Sequence, residues 1–127
     1  MLISDEDRWN VNIHFHDLVV DAVSGAESVL DVGCGEGMLT RRLRREIPQV
    51  TGIDLHEDSV ELARSQSPRG DIDYVRGDFL DHCFKPESFD AVVSVATLHH
   101  MDAPAALTRM KDLLRPGGTL VVVGLAR

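Results

Sequence analysis

The glycine run Gly33-Cys34-Gly35-Glu36-Gly37 is the stretch of this sequence best suited to holding a ligand. Glycines let the backbone take φ > 0 and approach a bound molecule with no Cβ in between. Where such a run links a strand to a helix, free N–H groups at the helix start and exposed carbonyls of the turn face that molecule. Asp54 follows 21 residues after Gly33, at the end of the next apolar stretch. A carboxylate there can accept both hydroxyls of a ribose, which calls for a free 2′-hydroxyl and not a 2′-phosphate. A dinucleotide fingerprint, Gly-x-Gly-x-x-Gly, would put its third glycine at position 38, and that residue is Met38. The sequence also has no Tyr-x-x-x-Lys pair for hydride chemistry. An NAD-dependent oxidoreductase is therefore the weaker alternative.

His99-His100 is the one candidate for a base. It follows the fourth apolar strand, where open α/β sheets place their ligands, and histidine titrates near neutrality. The alternative is that these histidines only pack or hydrogen-bond the loop. No metal is expected. His14 and His16 are two apart on a helix and so point to different faces, and no His, Cys and carboxylate cluster has metal-ligand spacing.

These residues need elements to position them. Val11, Phe15, Leu18, Val19, Ala22 and Val23 recur at helical spacing, which predicts a lead-in helix over 8–23. Ser28 to Val32 reads as a buried strand and the glycine turn follows it. Leu39, Leu43 and Ile47 mark a helix stopped by Pro48. The alternation continues with a strand at 50–54, a helix over about 57–66, a strand at 72–76 and an apolar strand at 89–95. Asp102 is placed to cap a helix with Pro104 in its first turn, and Leu107, Met110 and Leu114 line that helix's inner face. Pro116-Gly117-Gly118 then turns the chain into a last strand, Thr119 to Val123. Strands alternating with helices mean a parallel sheet with right-handed crossovers.

Composition narrows the function classes. The chain has 127 residues, 43% hydrophobic and 27% charged, and reads as one domain spanning 1–127 with its core at 28–124. Thirteen basic against 21 acidic residues leave a net charge of -8, which disfavours nucleic-acid backbones. The exception is Arg41-Arg42-Leu43-Arg44-Arg45, read as a solvated helix face before a phosphate patch. Cys34 and Cys83 have no paired spacing, and no apolar run approaches the roughly 20 residues of a bilayer span. The acidic N-terminus lacks a signal pattern, so a cytoplasmic protein with no membrane partner is expected.

The ordered set Val29-Leu30-Asp31-Val32-Gly33-Cys34-Gly35-Glu36-Gly37, Asp54, Gly77-Asp78-Phe79, Phe89 to Ser94 and Leu114-Arg115-Pro116-Gly117-Gly118 resembles the class I S-adenosylmethionine-dependent methyltransferases. Within that family the likeness is to small-molecule enzymes of the ubiquinone-biosynthesis type. The resemblance implies a Rossmann-like α/β fold with parallel strand order 3-2-1-4-5, helices on both faces, and an end before the family's strands 6 and 7.

The same resemblance implies S-adenosylmethionine as cofactor and S-adenosylhomocysteine as product. It assigns Gly33, Cys34, Gly35 and Gly37 to the methionine part and Asp31 to its ammonium. Asp54 goes to the ribose, Leu55 to the adenine face, and Asp78 to the adenine amino group, with Gly77 and the Phe79 backbone beside the ring. Val95 and Ala96 border the transferred methyl, and His99 or His100 is the candidate catalytic base. The residues allow blander roles: Asp31 and Asp78 as turn caps, Gly37 as relief for helix–strand packing.

Methyltransferases of DNA-base amines or glutamine usually carry Asn/Asp-Pro-Pro-aromatic after strand four. Here the sequence is Ser94-Val95-Ala96-Thr97-Leu98-His99-His100, so a small-molecule methyl acceptor is expected and nucleic acid is not. Leu120 to Val123 would lie on an uncovered sheet edge. Two accounts fit: a truncated core of a longer enzyme, which is preferred, or a homo-oligomer closed through that edge. A non-catalytic S-adenosylmethionine-binding module is the alternative to an enzyme.

Overall fold

The computed structural model describes residues 15–95 and 101–124. Helix α1 covers residues 15–22 and leads into strand β1, Ser28–Val32. Helix α2, Met38–Arg44, and strand β2, Gln49–Asp54, follow. Next come helix α3, Glu57–Ser65, strand β3, Asp73–Arg76, and strand β4, Phe89–Val95. Helix α4, Ala103–Leu113, and strand β5, Leu114–Val123, complete the order. The five strands form one parallel sheet, as the alternation of strands and helices predicts, in the order β3-β2-β1-β4-β5 that the family resemblance implies. Residues before Phe15 in the expected lead-in helix lie outside the described residues.

Period-two alternation divides the core between the sheet's faces. Val29, Val50, Ala91 and Val93 face α1 and α2, where Val19, Val23, Leu39, Leu43 and Ile47 complete a buried cluster. Leu30, Val32, Ile53 and Val92 face α4, packing with Ala106, Met110 and Leu113. Every residue of β1 is buried, as expected of a central strand covered on both sides. Asp102 caps α4 by accepting from Ala105 N at 3.2 Å, with Pro104 in the first turn.

Strand β5 differs from expectation. It begins at Leu114, which pairs with Phe89, while Thr119 pairs with Ala91. Arg115 to Gly118 therefore bulge out of the ladder without ending it, which is where proline is tolerated in a strand. Gly118 fits the bulge because a Cβ there would lie 2.8 Å from the Asp90 carbonyl.

Asp90 locks this amino-terminal end of the sheet. One carboxyl oxygen accepts from Glu27 N (2.9 Å) and Ser28 N (3.2 Å), and Arg115 donates to the other at 2.8 Å. Asp90 N in turn donates to Ser28 Oγ at 3.0 Å. The Glu27 N–H, with Arg115 beside it, holds the Asp90 carboxyl below its ordinary range.

Candidate functional site

At the opposite end, the carboxyl termini of β1, β2 and β3 converge on the glycine turn. Gly33, Gly35 and Gly37 all have positive φ, at 76°, 53° and 85°. The turn is stitched to β2. Gly33 N and Cys34 N both donate to the Ile53 carbonyl, at 2.8 and 3.0 Å, and Gly37 N donates to Cys34 O at 3.0 Å. Gly35 N donates to Asp54 Oδ2 at 2.9 Å, and His56 N donates to Asp54 Oδ1 at 2.9 Å. The free N–H groups expected at the helix start are thus not supplied by these four turn residues. Their N–H groups are bonded within the protein, and what the turn offers is close approach and carbonyls.

The three glycines do different work. A Cβ on Gly37 would stand 2.5 Å from Tyr74 Oη and 3.1 Å from Ala63 Cβ, so this glycine serves packing between the turn, α3 and β3. A Cβ on Gly35 would meet nothing within 4 Å. Gly33 lines two cavities at once, on either side of the turn.

The first cavity, about 450 Å³, holds Asp54, Leu55, Gly77, Asp78 and Phe79 together with Ile53, His56, Leu80 and Met101. Leu55 is exposed on its lip although apolar. Asp78 accepts from Leu80 N at 3.0 Å, so it does cap its own turn. The Phe79 ring is buried in the core with Arg109 5.6 Å from its centroid.

The second cavity, about 220 Å³, is lined by Asp31, Cys34 and Val95 together with His16, Glu36, Met38 and Leu39. Asp31 is only 2% exposed and accepts from Thr40 Oγ1 at 2.9 Å. Burial, opposed by the Thr40 bond and reinforced by nearby Asp54, pushes its carboxyl up to about 7. No ion pair among the described residues reaches it. A buried acid without a counter-charge at a cavity wall is suited to receiving a cation. Burial, with Asp31 and Asp54 close by, also pushes the Cys34 thiol up, which makes it a packing group and not a nucleophile.

Ala96, His99 and His100 lie outside the described residues. Sequence reasoning gave no site role to Thr40 or Gly52. Thr40 is a fully buried polar residue in a helix, and a Cβ on Gly52 would fall 3.0 Å from Cys34 Sγ. A glycine inside a strand was the available signal for that close approach. The arginines of α2 are elsewhere: Arg41, Arg44 and Arg45 border a separate concavity of about 490 Å³ with Arg69, where Arg44 pairs with Asp71 at 3.4 Å. Among the described residues, no group of three or more His, Cys, Asp or Glu could hold a metal, and no helix is long and apolar enough to cross a membrane.

This fold, with a glycine turn between two cavities, Asp54 closing β2 and Asp31 buried in β1, is that of a Rossmann-like methyltransferase domain. Residues 30–122 match the methyltransferase domain family, and the chain belongs to that family. An uncharacterized methyltransferase of Mycobacterium tuberculosis is 43% identical over 121 residues, covering 93% of this chain and 61% of the relative. A ubiquinone biosynthesis O-methyltransferase of Xanthomonas campestris is 42% identical over 110 residues, covering 84% of this chain and 46% of the relative. Among solved structures, an S-adenosylmethionine-dependent methyltransferase from Mesorhizobium loti matches with a TM-score of 0.76 and 29% identity, over 86% of this chain and 51% of that one. The chain therefore spans less than two thirds of the length of these relatives.

Proposed function

We propose that this chain is the cofactor-binding part of an S-adenosylmethionine-dependent methyltransferase acting on a small-molecule acceptor. The observation that carries the reading is the pair of cavities meeting at Gly33, with Asp54 in one and buried, uncompensated Asp31 in the other. A nucleoside joined to a cationic amino-acid end has that division of chemistry. The names of the relatives from Xanthomonas and Mesorhizobium support both the reaction class and the cofactor.

In this reading Asp54 accepts the ribose hydroxyls on lone pairs left over from Gly35 and His56, since a carboxylate has about four acceptor sites. Leu55 covers the adenine face, Asp78 accepts the adenine amino group, and Gly77 and Phe79 border the ring. Asp31 takes the ammonium, while the glycine turn admits the methionine chain. Val95 and Ala96 sit beside the methyl. S-adenosylmethionine supplies an already activated methyl on a sulfonium. The protein's part is then alignment of the acceptor, an effect worth up to ~7–11 kcal/mol. His99 or His100 removes a proton where the acceptor must lose one. The acidic charge and the Ser94-Val95 segment favour a small organic acceptor over nucleic acid. The outer edge of β5 is where further strands or a second subunit would add.

Calorimetric titration with S-adenosylhomocysteine tests this directly. Micromolar binding is expected, falling about 100-fold in Asp54→Ala, with no comparable response to NADH. A folded chain that prefers NADH, or binds neither, would overturn the reading.

A further inference from the structure

His16 belongs to the second cavity and has no role in the reading so far. It projects from α1, a different element from the turn and strands that build the rest of the site. The residue is 8% exposed, and its Nδ1 is buried without a hydrogen-bond partner. An unmet buried polar atom of this kind costs about 1–3 kcal/mol and calls for an explanation. Burial first, then the neighbouring Arg42, hold the imidazole below its ordinary range, with Asp17 opposing, so the ring is neutral near pH 7. A neutral imidazole has one N–H donor and one acceptor nitrogen. Arg42 itself is committed to Asp17.

The other polar groups lining this cavity with side chains are the carboxylic acids Asp31 and Glu36 and the Cys34 thiol, whose own bond goes to Gly35 O at 3.8 Å. An amino-acid group entering here presents an ammonium, which Asp31 suits, and a carboxylate, which Asp31 and Glu36 repel. Among the described residues lining the cavity, His16 is the one uncommitted donor side chain able to meet that carboxylate. We infer that His16 donates a hydrogen bond to the α-carboxylate of the bound cofactor, so that α1 and β1 each hold one of the two charges of its amino-acid end. The inference rests on the reading of this cavity as the amino-acid end of the site. It makes α1 part of the binding site as well as part of the core, and it gives the site a preference for cofactors with an intact carboxylate.

The test is a cycle of two ligands and three proteins by calorimetry. The ligands are S-adenosylhomocysteine and its decarboxylated form, which keeps the ammonium and loses only the α-carboxylate. The proteins are the full chain, His16→Ala and His16→Gln. His16→Ala should weaken S-adenosylhomocysteine by about 10- to 100-fold, the range for losing a hydrogen bond to a charged group. The decarboxylated ligand should change by less than about threefold. His16→Gln, which restores a donor, should recover part of the loss. Equal losses for both ligands, or none, would overturn the inference while leaving the cofactor site intact. If the wild-type chain binds neither ligand, the reading of the cavity falls and the inference with it. The wild-type preference between the two ligands needs no variant and stands even if a substitution unfolds the chain: a wild type that binds both equally overturns the inference.

Discussion

The two ends of the sheet each use an aspartate to tie a pair of backbone N–H groups, and they differ in what balances its charge. At the amino-terminal end, Asp90 holds Glu27 and Ser28 and is met by Arg115 at 2.8 Å. At the carboxyl end, Asp54 holds Gly35 and His56, and Asp31 lies buried near it with only a threonine hydroxyl. No ion pair among the described residues reaches either acid. The result is two carboxyls displaced in opposite directions, Asp90 down and Asp31 up to about 7. A sheet end that only holds the fold together can complete its own electrostatics. The other end leaves its charges for something else to complete, a departure that marks functional sites.

Breaking the uncompensated end should have the largest effect. Asp31→Asn keeps the shape and the Thr40 contact but removes the charge, and S-adenosylhomocysteine affinity should drop about 10- to 100-fold. The same variant reports on stability. Asp31 binds a proton more tightly folded than unfolded, since burial pushes its carboxyl up to about 7 from the ordinary carboxylate range. Its contribution is therefore greatest below that ordinary range, declines as pH rises towards about 7, and is flat beyond. Thermal melts of the free chain between about pH 5 and pH 8 should slope downward, and less steeply in Asp31→Asn. Identical slopes would move the source elsewhere.

Asp90→Ala should cost about 1–2 kcal/mol in urea denaturation, since the N–H groups it frees regain water in part. Cofactor affinity should stay within about twofold. The pH sign is opposite: a carboxyl held below its ordinary range stabilises at neutral pH, and that contribution is lost as pH falls through its folded value. A change in affinity matching that of Asp31→Asn would erase the distinction between the two ends.

A stability change no larger than that of Asp90→Ala is expected at Gly35. Alanine there takes φ near 53° with open space around its methyl, a strain of about 1–2 kcal/mol. If the ligand runs along the turn as proposed, S-adenosylhomocysteine binding should suffer more than stability does. Stability loss without affinity loss would make Gly35 a purely conformational glycine.

The glycine turn and the Asp54 position were legible in the sequence because each follows from local pattern and spacing, while the strand order came with the family resemblance. Buried β1 and β4 read as apolar runs, and Asp102 with Pro104 announced α4. The Asp90 lock was not legible, since it depends on register between strands 62 residues apart. The same holds for the Gly35 bond to Asp54 and for the bulge that lets β5 start at Leu114. Gly37 illustrates the limit within a motif: its type was readable, but its partners Tyr74 and Ala63 come from α3 and β3. For His16 the lead-in helix left cofactor contact open beside core packing and surface exposure, the two preferred readings, because helical phase says nothing of a cavity formed by β1.

The stitching of the turn to β2 has a thermodynamic side. Four of its N–H groups are bonded before any ligand arrives, through the Ile53 and Cys34 carbonyls and the Asp54 side chain. A loop already held in its bound shape surrenders little configurational freedom on association, so more of the contact energy survives as affinity. The ordering that remains falls on exposed side chains such as Leu55, which borders the cavity.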